Sequence, residues 1–588
     1  MSTLESDILT AAREDRLLDY IDERWLSDRD DPTPFSEILI PLAEALVKLH
    51  NEGKIDVVAA FGKLKNDNQS PDFFLTRHIF GKMLPKIEAP MPDVMACVLH
   101  LYHEAGQDLA AGWILPPYVD FCGAQPARPK EAIGCIEASV DKLADLLTPS
   151  LVAGSRLDAE QYLNEAIRFS THSDIAIRRR AVFSLGRIEY PEESHLPEKA
   201  LMTLGNAIGE ESDDELIGST IKSAFSLYRK QEALEGRVTG LIDTVLTGGG
   251  DQALHAASEI LFFEDKEIPE PLLDKLLLHL RRVNPAHKGT LDNIDHGLEK
   301  LLAGENTEKA IRFIEALLTT NAESLSVEAF DGVIRELVKN REGFLNRVMT
   351  RWFLGGERAL CKAIHDVVDH QNISENNLRL AANSNELGTA DPERIRFLAR
   401  KAIGYLFFRP VTAASIVLSL MEYAEDDETK KALTGLLFDP LSINYGEVGD
   451  YLKEQVDSEN DSIGNACKES LALLDQYMEG LKSTGGIPEL YPSRSQQEDY
   501  HRHYSKQMSE AMRKAGKKSV WRKIAAKEVL LYGIRSINHM RGPDGKERRM
   551  EIPLQSYERN TEIPRLSIIA PFDLDYTLRV FRAEKIQA

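Results

Sequence analysis

Apolar residues recur through most of this chain at intervals of three and four, the spacing of one face of a helix. Residues Leu4, Ile8, Ala11 and Ala12 open the pattern, with Trp25 near the end of that element. Ile38, Leu42, Leu46 and Leu49 make a longer buried stripe, and a further helix is expected from about Asp72 to before Pro85. Val94, Cys97, Val98 and Leu101 follow Pro92, which suits an early helical turn. Trp113, Pro116, Pro117 and Tyr118 then mark a break or tight connection, and residues 124–131 read as a boundary. Helical spacing resumes from Ile133 to Leu147 and continues to about Gly480.

The stretch 173–187, SDIAIRRRAVFSLGR, concentrates several of these signals. Asp174 can cap a helix start, and Ile177, Ala181, Leu185 and Ile188 share one face. Arg178, Arg179 and Arg180 crowd the first two turns, where the helix dipole favours acids. Their long stems can cover apolar surface while their charges reach water or an acidic partner. Related segments begin near Asp213 and Asp251, with Leu216, Ile217, Ile221, Ala224 and Leu227 in the first, and Ala253, Ala256, Ala257, Ile260 and Leu261 in the second. Counted from Asp174, Asp214 and Asp251, the steps are 40 and 37 residues, and segments starting at Asp391, Asp426 and Asp461 lie 35 apart. Such regular steps point to one helix pair per repeat.

The order Asp174, Ile177-Arg178, Ala181, Leu185-Gly186 resembles the second helix of a HEAT-type repeat. The resemblance covers roughly residues 150–480, with the full pattern only in the Asp174 segment. It implies a stack of helix pairs whose members bury their apolar faces against one another. The expected fold class is therefore mostly α: a HEAT-like α-solenoid with a small C-terminal α+β domain. The expected divisions are an N-terminal helical region at 1–130, helical repeats at 131–480, a linker at 481–499 and a basic α+β docking domain at 500–588.

Charge sharpens the distinction at the carboxyl end. Of 71 basic and 94 acidic residues, 20 and 12 lie from Tyr491 onward, leaving 51 and 82 before it. An acidic repeat body repels bare nucleic acid, whereas a basic end can bind phosphate, a protein, or the body itself. Residues 501–549 hold 14 Lys and Arg against four Asp and Glu. Arg513, Lys514, Lys517, Lys518, Arg522 and Lys523, with Trp521, are the candidate contacts to nucleic acid or an acidic partner. Phosphate neutralisation needs only such cations, without reading bases; Tyr500, Tyr504 and Trp521 can stack on bases or pack internally. Trp521, Ile524, Ala525 and Val529 to Leu531 are expected on a helical docking face. Beyond Ile534 strands are expected near Ile537 and over 549–554, joined by a turn at 541–545, and again over 565–572 and 576–582.

Other candidate chemistry has a plainer structural reading. His100 and His103 can share a face with Glu104, and His365, Asp366, Asp369 and His370 allow two imidazole-carboxylate pairs, but neither group supplies a complete metal shell by spacing. Gly248 to Gly250 lack the following lysine and hydroxyl of a phosphate-binding P-loop and suit a connection between repeats. Asp573, Asp575, Glu584 and Lys585 do not make a nuclease signature. The five cysteines are scattered without a CxxC pair, against a disulfide scaffold or zinc knuckle. No cofactor is expected, and no catalytic motif is recognised. No apolar run reaches about 18 residues, and the acidic start differs from a secretory leader; a cytoplasmic location is the simplest expectation. The functional expectation is a non-enzymatic scaffold that assembles or regulates a complex through a protein partner, the competing one a nucleic-acid-binding or processing factor that touches DNA or RNA through its basic end.

Overall fold

The computed structural model describes residues 3–27, 35–67, 71–106, 108, 110–209, 213–263, 268–370, 378–388, 391–485, 487, 489, 492–518, 525–530, 535–541, 547–553 and 562–586. The chain divides into two compact units, Met1–Ile294 and Asp295–Ala588. Both are built mainly of helices in a repeating arrangement. Among the described residues, no helix is long and apolar enough to cross a membrane.

In the first unit, several helices start where an aspartate precedes an apolar period. Asp158 accepts from the Gln161 amide at 2.9 Å, Asp174 from Ala176 and Ile177 at 2.8 and 3.2 Å, and Asp213 from Leu216 at 3.0 Å. Each bond satisfies amides that the helix leaves without intrahelical partners. The helices Leu147–Ser155, Ile175–Leu185, Asp214–Lys230 and Asp251–Phe263 pack in succession, and Ala159–Phe169, Leu196–Asn206, Glu235–Gly248 and Glu270–Leu280 form the adjoining layer. Between the layers Ile177, Ala181, Leu185, Ile188, Ile221, Ala224, Leu227, Ala257 and Ile260 are buried, as their spacing predicts. Burial of each large aliphatic side chain is worth about 1.5–3 kcal/mol.

Two of the three consecutive arginines, Arg179 and Arg180, join neighbouring repeats. Arg179 holds Asp213, the cap of the following repeat, through two bonds of 2.7 Å, while Arg180 pairs with Asp145 of the preceding one. Their position near a helix start is therefore set by acids on adjacent helices rather than by the helix's own dipole. Gly186 has ordinary right-handed backbone angles, so its role is one of space. A Cβ there would lie 2.5 Å from the Ser223 Cα. Glycine is what lets the helix Asp214–Lys230 pass so close.

In the second unit the helix Pro392–Leu406 is central, touching Asn346–Gly355, Arg358–Val368, Pro410–Leu420 and Asp427–Leu436. Asp391, Asp426 and Asn460 cap the helices that follow them, so the segment read as starting at Asp461 is capped one residue earlier. Between three elements, Arg351 reaches Glu308 at 2.9 Å and Glu386 at 2.7 Å, and the Trp352 indole donates to Glu315 at 2.7 Å. Arg347 also pairs with Glu308. Towards the end, β1 (Ala525–Leu530), β2 (Arg535–Arg541) and β3 (Glu547–Pro553) form an antiparallel sheet in that order, with Ile537 opposite Val529 and Glu551.

Several expectations need correction. The prolines at 116 and 117 begin a helix, Leu115–Gly123, instead of marking a break; their missing amides fall where a helix has no use for them. The helix Arg128–Ala138 runs through the expected boundary near residue 130, and Arg128 at its start is buried and donates to the Phe121 and Ile87 carbonyls at 2.8 and 3.3 Å. The contact division falls instead inside the expected repeat region. Much of the expected linker 481–499 is helical, at the end of Asp461–Thr484 and the start of Arg494–Lys518. Residues 525–530 are a strand where a helix was expected. Residues Arg565–Ile569 and Pro571–Ala583 are helices where strands were expected. Phe572, Leu574, Tyr576, Leu578 and Val580 alternate like a strand, because this helix carries apolar residues on two opposite faces. The turn expected at 541–545 lies outside the described residues after Arg541, although the strands on either side of it pair.

Gly186→Ala should destabilise the first unit by about 1–3 kcal/mol, the usual cost of forcing a methyl into a packed contact, despite alanine's better helix propensity. Chemical denaturation of the full chain checks this; stability equal to or above the parent would show that the crossing relaxes freely.

Candidate interaction surfaces

Three surfaces stand out: the basic helix, the terminal helix and a groove in the first unit. The basic helix Arg494–Lys518 contains Arg513, Lys514, Lys517 and Lys518. Arg513 is exposed, whereas Trp521, Arg522 and Lys523 lie outside the described residues. Helical spacing places 513 with 517, and 514 with 518, on shared faces. From Arg494 to Lys506 the side chains are exposed apart from the half-buried Tyr500. Arg494 and Arg502 pair with Glu498 and Asp499 of their own helix. Within this described part, the basic helix does not bury its charge against the acidic repeats.

The extreme carboxyl end, by contrast, is tied firmly to the second unit. Leu574 and Leu578 are buried on the inner face of Pro571–Ala583, which lies along Pro392–Leu406. Lys401, with 0% exposure, donates to the Arg582 carbonyl at 2.6 Å. A cation here meets the negative end of a helix dipole, while burial holds its pKa below the usual lysine value. Arg400 grips Glu584 through bonds of 2.7 and 2.5 Å, and Arg582 donates to the Gly404 carbonyl at 2.5 Å. Upstream, Glu562 accepts from the Gly446 and Glu447 amides at 2.6 and 3.1 Å, and Asn444 accepts from the Leu566 amide at 2.8 Å. The outer face remains open: Phe572 is 87% exposed, Tyr576 71% and Val580 44%. Ile569 extends this apolar surface. The alternating sequence thus encodes one docked face and one available face.

The groove in the first unit has a cavity volume of about 890 Å³ and is lined by Phe74, Arg77, His78, Lys82, Trp113 and Pro117, among others. Arg77 is buried and spans to the Ala110 and Ala111 carbonyls at 2.6 and 3.2 Å, over the Phe73 and Phe74 rings. It fixes one wall. Burial and the neighbouring Lys82 and Arg77 charges hold His78 below the ordinary histidine pKa, favouring its neutral form. Trp113, 70% exposed, stands at the rim. Neither this groove nor the terminal apolar face was foreseen. Trp113 beside a Pro-Pro helix start and the double apolar alternation were the available signals.

The remaining candidates disperse. His100 contacts the Leu64 carbonyl at 2.6 Å, His103 meets Asp145 at 3.2 Å, and Glu104 accepts from the Asn66 amide at 3.1 Å. His365 and Asp366 lie 3.1 Å apart, but His370 turns to Asp331 at 2.9 Å. Asp366 also accepts from Ser326 at 2.9 Å and from Lys362 at 2.5 Å. Among the described residues, no group of three or more His, Cys, Asp or Glu could hold a metal ion. At the triple glycine, Asp214 accepts from the Gly250 and Gln252 amides, both at 2.7 Å, so a carboxylate occupies the place a phosphate would need. Asp575 pairs with Arg579 and Glu584 with Arg400, separating the acids of the carboxyl end. Burial pushes the Cys97, Cys122 and Cys361 thiols up to about 12, disfavouring the reactive thiolate.

No family model and no curated protein matches the chain. Solved structures similar to it include an engineered protein, at 11% identity and TM-score 0.23, covering 81% of this chain and 99% of that one. The SYS-1/POP-1 complex is 12% identical with TM-score 0.20, covering 80% and 84% respectively. A circular tandem repeat protein is 14% identical with TM-score 0.13, covering 82% and 95%. Overlays this loose transfer neither a partner nor an activity.

Glu584→Gln should loosen the terminal helix without unfolding the body. Losing a charge-assisted pair worth about 1–2 kcal/mol would raise the open population roughly 5- to 30-fold. Limited trypsin digestion, with cleavage after Arg579 and Arg582 followed by mass spectrometry, reads this directly; an unchanged cleavage rate would show that the pair does not hold the helix down.

Proposed function

We propose that this protein is a non-enzymatic interaction scaffold of HEAT-like helical repeats, with residues 500–588 serving as the docking module that helps assemble or regulate a protein complex. The observation that carries this reading is the terminal helix. Its inner face is fastened by Leu574, Leu578 and the Arg400–Glu584 pair, while Phe572, Tyr576 and Val580 face outward. A helix apolar on both sides is normally covered on both, and aromatic anchors supply much of the energy of protein interfaces. The HEAT-like part of the proposal rests on the Asp174 segment, where the aspartate caps, the alanine packs and the glycine permits a close crossing.

A photo-crosslinking residue at position 576 in the full chain should give a discrete adduct with a partner protein, and Phe572→Ser combined with Val580→Ser should abolish it without altering the melting temperature. Absence of any adduct, or persistence in the double variant, would remove the terminal helix from the reading.

A second reading, nucleic-acid binding, draws on the basic composition of the helix Arg494–Lys518, on its exposed side chains up to Lys506 and on the exposed Arg513. Changing Lys514, Lys517, Lys518, Arg522 and Lys523 to serine should lower affinity for single-stranded and duplex DNA and RNA and reduce its dependence on salt. Equal affinity and salt slope in parent and variant would dismiss it.

A further inference from the structure

The first unit contains a pair of cations that, among the described residues, no carboxylate pairs with. The Ser223 hydroxyl bonds to the Val182 carbonyl at 2.9 Å and the Ser226 hydroxyl to the Gly186 carbonyl at 2.7 Å, so the helix Asp214–Lys230 runs tightly past the end of Ile175–Leu185. One turn later, the Lys230 ammonium donates to the Ile188 carbonyl at 2.5 Å and lies 5.3 Å from the Tyr190 ring centre. Tyr190 is fixed in turn by its hydroxyl, which donates to the Leu185 carbonyl at 2.6 Å. Arg187 extends from the same crossing with its guanidinium 4.4 Å from the Phe183 ring centre. Both cationic residues are exposed, and among the described residues neither has a carboxylate at ion-pair distance.

This contrasts with their neighbours. Arg156 is held between Asp120 and Glu189 at 2.8 Å each, Arg179 by Asp213, and Arg180 by Asp145. Glu189, the acid nearest in sequence, is thereby committed to Arg156, and its amide is committed to the Ser155 hydroxyl at 3.1 Å. We infer that Arg187 and Lys230 form a binding site for an anionic group, a carboxylate or phosphate, carried by an acidic peptide segment of a partner protein. The guanidinium supplies a planar fork of donors and the ammonium a point charge. The ring of Tyr190 and the Ile188 carbonyl hold Lys230 in place before the ligand arrives, reducing the ordering that binding requires.

The surroundings favour a short acidic segment over a nucleic-acid strand. Glu189, Glu192 and Glu193 follow Arg187, and Glu232 and Glu235 follow Lys230, so a continuous phosphate backbone would meet repulsion on either side of the two cations. Crowding by the protein, with Arg187 as a like charge, lowers the Lys230 pKa to about 8, against an opposing influence from Glu189. An anion bound beside the ammonium would move it back up.

The peptide assignment rests on the scaffold reading, whereas anion binding at the crossing does not, and the experiment separates the two. Full-length protein and an Arg187→Gln, Lys230→Gln double variant would be titrated with inorganic phosphate, labelled hexaglutamate, a phosphoserine peptide and single-stranded DNA. The expected result is binding of at least one acidic peptide, weakened at least about tenfold in the double variant with an unchanged melting temperature. In parallel, the pH dependence of Lys230 acetylation, read by mass spectrometry, should show an apparent pKa that rises on adding the phosphoserine peptide. Phosphate binding without peptide binding would overturn the peptide assignment while leaving an anion site. DNA binding tighter than either peptide and lost in the double variant would likewise overturn it. No binding of any probe, equal binding by the variant, or a Lys230 titration that no ligand shifts would overturn the site itself.

Discussion

Helix starts impose the governing constraint, because each leaves amides that must find acceptors when a neighbouring helix packs nearby. This chain answers with carboxylates, some local and some borrowed. Asp158, Asp174, Asp391 and Asp426 cap their own helices. Asp214 instead accepts from Gly250 and Gln252, and Asp295 from Gly332 and Val333 at 2.9 and 3.0 Å. Glu562 does the same for Gly446 and Glu447 from much farther along the chain. A borrowed cap satisfies an amide and fixes the distance between two elements in one interaction. Asp295 shows the opposing cost: burial raises its pKa even though two amides favour the charged carboxylate.

Arginine completes the same scheme. Its fork can grip a capping carboxylate from the side that the amides leave open. Arg179 on Asp213 is the direct case, and it holds that carboxyl below the usual aspartate range. The Arg347, Arg351, Glu308 and Glu386 network extends it across three elements of the second unit. These ion pairs are partly exposed, so each contributes modestly to stability compared with the aliphatic burial beneath them. Their geometric specificity lies in choosing which repeat surfaces meet. A chain carrying far more acid than base can therefore leave many carboxylates in water and still use a selected few as fasteners.

That division explains what could be read in advance. The stripe Ile177, Ala181, Leu185, Ile188 depends on residues within four positions of one another, so sequence spacing reveals it and burial agrees. Asp174 is equally local, because its acceptor role is completed two and three residues away. Asp214 looked like a repeat start, but its partners lie 36 and 38 residues onward, beyond the reach of helical periodicity. Arg128 likewise reads as part of a boundary and instead ties the start of the helix Arg128–Ala138 back to the Phe121 and Ile87 carbonyls, the second of them 41 residues away. At the terminal helix, two apolar faces were mistaken for the alternating faces of a strand. The candidate surfaces were least legible: Trp113 had a visible Pro-Pro context, but the open side of Tyr576 is defined only once Leu574 and Leu578 have found the helix Pro392–Leu406.

The carboxyl end also changes what its positive charge means. Electrostatic attraction alone would have let a basic module settle anywhere on an acidic body, with little preferred register at physiological salt. Its fixed contacts are more selective: two leucines in an apolar interface, a buried lysine on a helix-end carbonyl, and an arginine fork on Glu584. The attachment thus places much of its positive charge on the repeat body, at Arg400 and Lys401, and takes its acid from the tail. The basic helix Arg494–Lys518 is not needed for those contacts, and its described first half remains in solvent. Anchoring and outward exposure are consequently carried by different residues, so the Phe572–Tyr576 face stays open while Leu574, Leu578 and Glu584 hold the terminal helix to the body.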